Sequence, residues 1–156
     1  MQLESFLAPT AIIPKLTVNS TRQLLHALAK VGARETGLRE RTIFQALMAR
    51  EQRGSTGFGN GVALPHARLK NLARIAGAFA RLEPPIDFDA PDGRPVELVF
   101  CLLSPDQDDA LHLAALAAIS RRLGRPNLRR VLRGANEADA IHALLTDQEH
   151  SQPEAA

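Results

Sequence analysis

The chain has 156 residues, of which 45% are hydrophobic and 23% are charged, the usual balance of a single globular domain. Its formal net charge is +2, and its one cysteine cannot form an internal disulfide bond. No apolar run is long enough to span a membrane, and the N-terminus lacks the charged and apolar regions of a signal peptide. Together these features predict a cytoplasmic protein with no membrane span.

The basic residues are almost all arginine, which gives a sequence pI of about 9.2. Their densest clusters lie at residues 121–125 and 129–133, whereas elsewhere charges of both signs are interleaved. Such clusters are either solvated helix faces or contacts for an acidic partner. The chain has no Trp or Tyr and only 6 Phe. Because it is so poorly supplied with side chains for base stacking, no nucleic-acid partner is expected.

The first elements in the chain are predicted to be short. Residues 3–8 have the pattern of a helical turn, and residues 11–16 that of an extended segment stopped by Pro14. A first long helix is predicted over residues 20–32, because it starts at capping residues, carries leucines at helical spacing and closes at a glycine.

A second helix is predicted over about residues 38–53, with its apolar residues in one stripe. The two helices raise the alternative of a DNA-binding helix-turn-helix. Their connection, residues 33–37, is longer than the three or four residues of that motif, and the second helix carries Glu40 and Glu51. DNA binding by this segment is therefore not expected.

Three strands are predicted after a glycine-rich loop. Residues 62–66 favour a short buried strand, and the apolar runs at residues 74–82 and 96–103 favour core strands. The segment between the last two is rich in turn residues, and Asp92 with Gly93 suits the tip of a hairpin. We therefore expect these two strands to pair in antiparallel fashion.

The last third of the chain is predicted to be helical. A long helix within residues 104–124 has acidic residues in its first turn and arginines in its last, the order that a helix dipole favours. Two short helices follow near residues 127–133 and 136–145. Helices before, between and after strands predict an α/β fold, a single layered domain with helices packed on the faces of a small mixed sheet. This domain covers residues 1–147, and the polar residues 148–156 are expected to be a disordered tail.

The glycine-rich loop is GSTGFGNG, residues 54–61, which holds four of the ten glycines. Its spacing fits neither a Walker-type phosphate loop nor a dinucleotide-binding fingerprint. Glycines permit positive φ angles and leave backbone N–H groups uncovered, and hydroxyl side chains add donors, so the loop suits an oxyanion. The residues expected to bind a phosphate group here are Ser55, Thr56, Gly57, Gly59 and Gly61.

His66 follows this loop after a short strand and Pro65. Arg68, two residues further on, falls on the same side of an extended chain and is a further candidate phosphate ligand. Arg50 brings positive charge from the end of the second helix. The sequence contains no His, Cys and Asp residues at metal-ligand spacing, and no Ser-His-Asp arrangement can be deduced from it. Neither a metal nor a cofactor is expected.

Residues 50–69, REQRGSTGFGNGVALPHARL, closely resemble the active-site signature of the enzyme IIA domains of the bacterial phosphoenolpyruvate-dependent phosphotransferase system, in its fructose/mannitol/nitrogen-regulatory class. The resemblance extends from LESFLAPTAI to ALHLAALAAISRRL and implies the fold of that family. It implies that His66 accepts a phosphoryl group on Nε2. It also implies that His112, on a later helix, lies close to His66 and supports it, and that Arg50 stabilises charge at the same site.

The resemblance implies partners as well. The donor would be a histidine phosphocarrier protein, and the N-terminal segment looks more like the nitrogen-regulatory branch, in which partner proteins read the phosphorylation state. The alternative is a sugar-specific IIA protein that passes phosphate to a IIB domain for sugar uptake. A transient partner also predicts a modest apolar patch near His66, with Phe58 as a candidate, ringed by arginines.

Structural roles remain alternatives for several of these residues. His112 could be a passive imidazole on an apolar helix, and Arg50 a charge that complements the end of its helix. Ser55 and Thr56 could serve only to stabilise a turn. Cys101 is expected to be a buried apolar filler. The other histidines, His26, His142 and His150, are expected at the surface.

Overall fold

The computed structural model describes residues 1–147. Two 3₁₀ turns, Leu3–Ser5 and Pro9–Ala11, precede the regular elements. The strands are β1 (Ile12–Leu16), β2 (Gly57–Gly59), β3 (Val62–Ala63), β4 (His66–Leu69), β5 (Ala76–Ile86) and β6 (Val96–Pro105). The helices are α1 (Thr21–Thr36), α2 (Glu40–Gln52), α3 (Asp109–Leu123), α4 (Pro126–Arg133) and α5 (Ala138–Thr146).

The strands form one mixed sheet in the order β1-β5-β6-β3-β2. β6 is the central strand of the sheet. Almost every residue of its sequence, VELVFCLLSP, is buried, as is typical of a strand covered on both faces. β5 pairs with β6 in antiparallel fashion, whereas β3 and β4 both run parallel to β6 and pair with successive parts of it. The predicted α/β fold and the predicted antiparallel pair are therefore confirmed.

The predicted end of the first helix is wrong. Gly32 lies inside α1, which continues to Thr36 and ends at Gly37 in the left-handed region, with φ of 78°. A Cβ atom on Gly32 would lie 2.9 Å from Leu103 Cδ1. The glycine therefore serves the close approach of α1 to β6, and tertiary packing outweighs its tendency to end a helix.

Pro14 does not stop the first extended segment either. It lies inside β1, which continues to Leu16 and has a register irregularity against β5 after Ile13. β1 is the outermost strand of the sheet. Its outer edge has no neighbouring strand to accept a hydrogen bond, so a residue without an N–H group can be accommodated there. The segment is accordingly a strand with a local distortion.

The core is one continuous apolar cluster between the sheet and the helices. Phe79 and Phe100, on β5 and β6, are fully buried and pack edge to face with ring centroids 6.3 Å apart. Cys101 is buried beside them, and burial raises the pKa of its thiol to about 12, so the expected apolar filler is found. Within residues 1–147, no helix is both long enough and apolar enough to cross a bilayer.

The basic cluster at residues 121–125 is not wholly a solvated face. Arg122 is buried, with 7% of its surface exposed, and its guanidinium donates to the carbonyl oxygen of Leu144 at 3.1 Å. This hydrogen bond joins the end of α3 to α5. Arg133, in the second cluster, pairs with Glu97 on β6 and donates to the carbonyl oxygen of Asn60. Both clusters thus contain side chains that stabilise the fold.

Candidate active site

His66 is the first residue of β4 and is half-buried. Its Nδ1 lies 2.8 Å from the carbonyl oxygen of Leu64. Because a carbonyl oxygen only accepts, Nδ1 must carry the proton of the neutral ring. Nε2 then keeps its lone pair, and the Nε–H of Arg50, 3.2 Å away, donates to it. The two contacts define the same tautomer, with Nε2 as the nucleophilic atom.

The local chain path holds the ring in this position. Pro65 has no N–H to donate, and its carbonyl oxygen accepts a hydrogen bond from β6 at 3.0 Å. Along β4 the side chains alternate, so Ala67 and Leu69 are buried, while His66 and Arg68 share the other face. Arg68 was expected on the same side as His66, and the structure brings both side chains to one cleft.

Arg50 reaches the ring from the last turn of α2, which packs against β4. Its Nη1 donates to the carbonyl oxygen of Gly54 at 2.8 Å, which fixes the guanidinium. The cleft has a volume of about 570 Å³ and is lined by Ala46, Ala49, Arg50, Arg53, His66, Ala67, Arg68 and His112. Three of these side chains are cationic and none is acidic, so the cleft suits an anion.

His112 enters the cleft from the first turns of α3. Its ring centroid lies 5.4 Å from that of His66, with the two planes inclined at 54°. The residue is 4% exposed, and its Nδ1 lies 2.7 Å from the hydroxyl oxygen of Ser104. The structure thus brings together the two histidines that the sequence separates by 46 positions. Ser104 was missed by the sequence analysis, because no local pattern signals a contact between the end of β6 and α3.

Both imidazoles are neutral at pH 7. Burial lowers the pKa of His66 below its ordinary value of 6.5, although the hydrogen bond from its ring to Leu64 opposes this, and the charges of Arg50 and Arg68 lower it further. Burial lowers the pKa of His112 to about 4, and the positive charges of protonated His66 and of Arg68 lower it as well, against a raising effect of Asp109. A neutral ring is the form that can act as a nucleophile.

The two acidic residues before His112 have separate tasks. The carboxylate of Asp108 caps α3, since it accepts a hydrogen bond from the N–H of Leu111 at 3.0 Å. The carboxylate of Asp109 pairs with Arg68 at the mouth of the cleft. Neither carboxylate is hydrogen-bonded to the His112 ring, whose Nδ1 partner is Ser104.

No residue of the glycine-rich loop lines this cleft, although the carbonyl oxygen of Gly54 accepts a hydrogen bond from Arg50. The Ser55 hydroxyl donates to the carbonyl oxygen of Phe88 at 3.0 Å. Thr56 is buried, and both its N–H and its hydroxyl donate to the carboxylate of Glu51, at 2.8 and 2.6 Å. Phosphate binding by Ser55 and Thr56 stays a prediction, and their present hydrogen bonds are internal to the fold.

The glycines of the loop build a small hairpin from β2 and β3. A Cβ atom on Gly57 would lie 2.8 Å from Ala90 Cβ, so only glycine fits there without a shift. Gly59 and Gly61 have φ angles of 95° and 80°, and the carbonyl oxygen of Gly61 accepts from two N–H groups of β6. Their phosphate contacts likewise stay predictions. Phe58, the middle residue of β2, is 40% exposed but lies outside the cleft lining.

The remaining histidines lie away from the cleft. His26 is exposed and stacks on Phe44 with ring centroids 3.6 Å apart. His142 is half-buried, with Nε2 2.8 Å from the carbonyl oxygen of Leu7, and not simply at the surface as expected. His150 and the predicted tail lie outside the described residues. Within residues 1–147, no group of three or more His, Cys, Asp or Glu side chains is placed to hold a metal ion.

Comparison with known proteins agrees with the predicted family and fold. A nitrogen regulatory protein of Bradyrhizobium diazoefficiens is 47% identical over 145 residues, which are 93% of this chain and 95% of that protein. The crystal structure of the nitrogen regulatory protein IIA-Ntr of Neisseria meningitidis matches with a TM-score of 0.88 at 35% identity, over 92% of this chain and 99% of that one.

A more distant structure shares the fold alone. The Escherichia coli mannitol enzyme IIA, solved in complex with phosphorylated enzyme IIB, matches with a TM-score of 0.76 at 14% identity, over 88% of this chain and 95% of that one. The family model described as "Phosphoenolpyruvate-dependent sugar phosphotransferase system, EIIA 2" matches residues 5–148. The chain therefore belongs to the EIIA 2 family of the phosphoenolpyruvate-dependent sugar phosphotransferase system.

Proposed function

We propose that this protein is a phosphohistidine carrier in which Nε2 of His66 accepts a phosphoryl group from a histidine phosphocarrier protein in the cytoplasm. The observation that carries the proposal is the tautomer of His66. With Nδ1–H bonded to the Leu64 carbonyl, Nε2 carries no proton, and its lone pair lies in an open cationic cleft in contact with the Arg50 Nε–H. A nucleophilic nitrogen beside fixed positive charge is what phosphoryl transfer requires.

The transfer step needs no proton acceptor. The P–N bond of the donor's phosphohistidine breaks, its electron pair returns to the donor's ring nitrogen, and the lone pair of His66 Nε2 forms the new P–N bond. The proton on Nδ1 stays in its hydrogen bond to the Leu64 carbonyl, which stabilises the positive charge that the ring acquires. Because the pKa of His66 is lowered, the reactive neutral form persists below pH 6.5.

The cationic groups of the cleft stabilise the charge on the transferring group. In the resting state the Arg50 Nε–H lies against the attacking atom, so a small movement brings it to the phosphoryl oxygens. Arg68 sits on the same face of β4, where its partner is the Asp109 carboxylate. His112 faces His66 across 5.4 Å between ring centroids and supplies a further nitrogen. We assign these three residues to charge stabilisation.

We further propose that the phosphorylation state acts as a regulatory signal of nitrogen metabolism. Similarity to the nitrogen regulatory proteins of Bradyrhizobium and Neisseria over most of the chain supports this branch. The competing function is relay of phosphate to a IIB domain, as the complex of the mannitol enzymes suggests for a protein of the same fold. A purified IIB domain distinguishes the two, because rapid loss of the phosphate to it would favour the sugar-transport function.

The proposal is tested by phosphorylation with phosphoenolpyruvate, enzyme I and the phosphocarrier protein, followed by mass spectrometric mapping of the modified residue. We expect one phosphoryl group, on His66, and none in His66→Ala. The matched control is His26→Ala, which removes an exposed imidazole outside the cleft and should leave labelling unchanged. Stoichiometric labelling of folded His66→Ala, or modification at another residue of the wild type, would overturn the assignment.

The partner face remains a proposal of the same kind. Phe58 is exposed, as a docking residue must be. Leu113 is a second candidate, since it is 62% exposed and directly follows the cleft residue His112. Arg50, Arg53 and Arg68 supply the surrounding positive charge. Such an apolar centre with a charged rim suits a transient partner with an acidic rim.

A further inference from the structure

The hydrogen bond between Ser104 and His112 lies outside the cleft and behind the ring. Ser104 is completely buried near the end of β6, and its hydroxyl oxygen is 2.7 Å from Nδ1 of His112. His112 lines the cleft that also holds His66, and the two ring centroids are 5.4 Å apart. The serine is thus placed to act on the site through His112 without touching the reacting atoms.

Two proton arrangements are possible for this hydrogen bond, because the neutral His112 ring carries one proton. In one, the Ser104 O–H donates to Nδ1, and Nε2 carries the ring proton. In the other, Nδ1–H donates to Ser104, and the hydroxyl proton must find another acceptor. Among residues 1–147, the hydroxyl of Ser104 makes no other hydrogen bond. A buried donor without an acceptor is unfavourable, so the first arrangement is preferred.

The choice of tautomer decides how His112 meets a phosphoryl group. An Nε2–H donates to phosphoryl oxygens, whereas a bare Nε2 lone pair would repel them. We propose that Ser104 is a positioning residue that holds His112 in the Nε2–H tautomer, so that His112 donates a hydrogen bond to the phosphoryl group on His66. This inference rests on the proposed function for its catalytic consequence, but the tautomer exists in the unphosphorylated protein and can be measured there.

The first experiment is nitrogen NMR of the histidine rings in unphosphorylated wild type and Ser104→Ala. In the wild type we expect His112 to carry its proton on Nε2. In Ser104→Ala the preference should be lost, and Ser104→Thr, which keeps a hydroxyl, should restore it. A wild-type His112 protonated on Nδ1, or an unchanged tautomer in Ser104→Ala, would overturn the inference whether or not His66 is phosphorylated.

The second experiment is single-turnover phosphorylation of the same variants by the charged phosphocarrier protein. Ser104→Ala should slow transfer by about tenfold, the rate equivalent of one net hydrogen bond. His112→Ala should slow transfer further, and adding Ser104→Ala to it should change nothing more, since the serine acts through the ring. If Ser104→Ala slowed transfer by the same factor in the wild type and in His112→Ala, the inference would be contradicted.

A control separates positioning from general loss of packing. Cys101→Ala removes a similar volume from the same strand at a buried position that carries no hydrogen bond to the site. It should leave the His112 tautomer and the transfer rate unchanged. If Cys101→Ala changed either one as much as Ser104→Ala, the effect of Ser104 would be structural and the inference would fail. If His66 proved not to be the acceptor, the proposed function would fail, while the tautomer result would still stand.

Discussion

The cleft around His66 and the hairpin that precedes it use their polar groups in opposite ways. In the cleft, Nε2 of His66 carries no proton and has one contact, from the Arg50 Nε–H. In the hairpin, Thr56 is bonded twice to Glu51, and the Ser55 hydroxyl is bonded to the carbonyl oxygen of Phe88. The cleft therefore has capacity for a ligand, whereas the hairpin hydroxyls are already committed to the fold.

The difference teaches that closeness in sequence to a reactive histidine does not by itself bring a residue into the cleft around it. In the hairpin, β3 pairs with the start of β6, and β4, which begins at His66, pairs with the end of β6. Gly57 of the hairpin packs directly against Ala90, where a side chain would not fit without a shift. The side chains that reach the ring come from more distant parts of the chain, the end of α2 and the start of α3.

Apart from removal of the acceptor His66 itself, the largest expected effect is in the cleft. Arg50→Ala should slow phosphoryl acceptance by His66 about 100-fold, the loss typical for a group that stabilises charge in a transition state. The free energy of unfolding should change little, because Arg50 lies at the end of α2 and is half-buried. Single-turnover transfer from the charged phosphocarrier protein measures the rate, and urea unfolding measures the stability.

Arg53→Ala is the matched control, since Arg53 lines the same cleft from the next turn but is exposed. It should slow transfer only a few-fold, because an exposed charge is screened by solvent and salt. Equal rates for the two variants would mean that only the summed positive charge matters, and the contact between Arg50 and Nε2 would lose its assigned role.

The next effect belongs to the hairpin and is a loss of stability. Gly57→Ala places a Cβ atom 2.8 Å from Ala90 Cβ and 2.9 Å from its Cα. Overpacking of this kind costs about 1–3 kcal/mol in the free energy of unfolding. Urea unfolding should show this loss, while the transfer rate of the folded fraction stays near that of the wild type.

Gly134→Ala controls for the mere addition of a methyl group. Gly134 has φ of −97°, and the nearest atom to its added Cβ would be 3.8 Å away. Its effect should stay within about 0.5 kcal/mol. A Gly57→Ala protein as stable as Gly134→Ala would show that the hairpin can shift away from Ala90, and the argument for a packed, committed hairpin would be lost.

Local patterns were sufficient for much of the fold but not for its long-range contacts. Apolar runs predicted β5 and β6, and turn residues predicted their antiparallel pairing, because hairpin neighbours are adjacent in sequence. The predicted end of α1 is wrong because a glycine after a helical pattern usually ends the helix, whereas Gly32 is explained by its contact with Leu103 on β6. That contact joins positions far apart in the chain.

The candidate site divides in the same way. The motif around His66 and the resemblance of His112 in its helix identified the two rings, and the structure adds their separation. The sequence did not identify the acceptor for Nδ1, which is the carbonyl oxygen of Leu64. Ser104 carried no signal at all, since its role depends on how the end of β6 faces α3.

The smallest effect tests whether the hairpin has any share in the chemistry. Thr56→Val removes the hydroxyl bonded to Glu51 but keeps the N–H bonded to the same carboxylate. It should cost about 1 kcal/mol of unfolding free energy, whereas Thr42→Val, the same change at an exposed position of α2, should cost less. Transfer by the folded fraction should stay within about twofold of the wild type, because the group removed donates to Glu51 and not into the cleft. A drop of tenfold or more, with stability accounted for, would mean that Thr56 exchanges Glu51 for the phosphoryl group, and the predicted phosphate role of the loop would then displace its structural one.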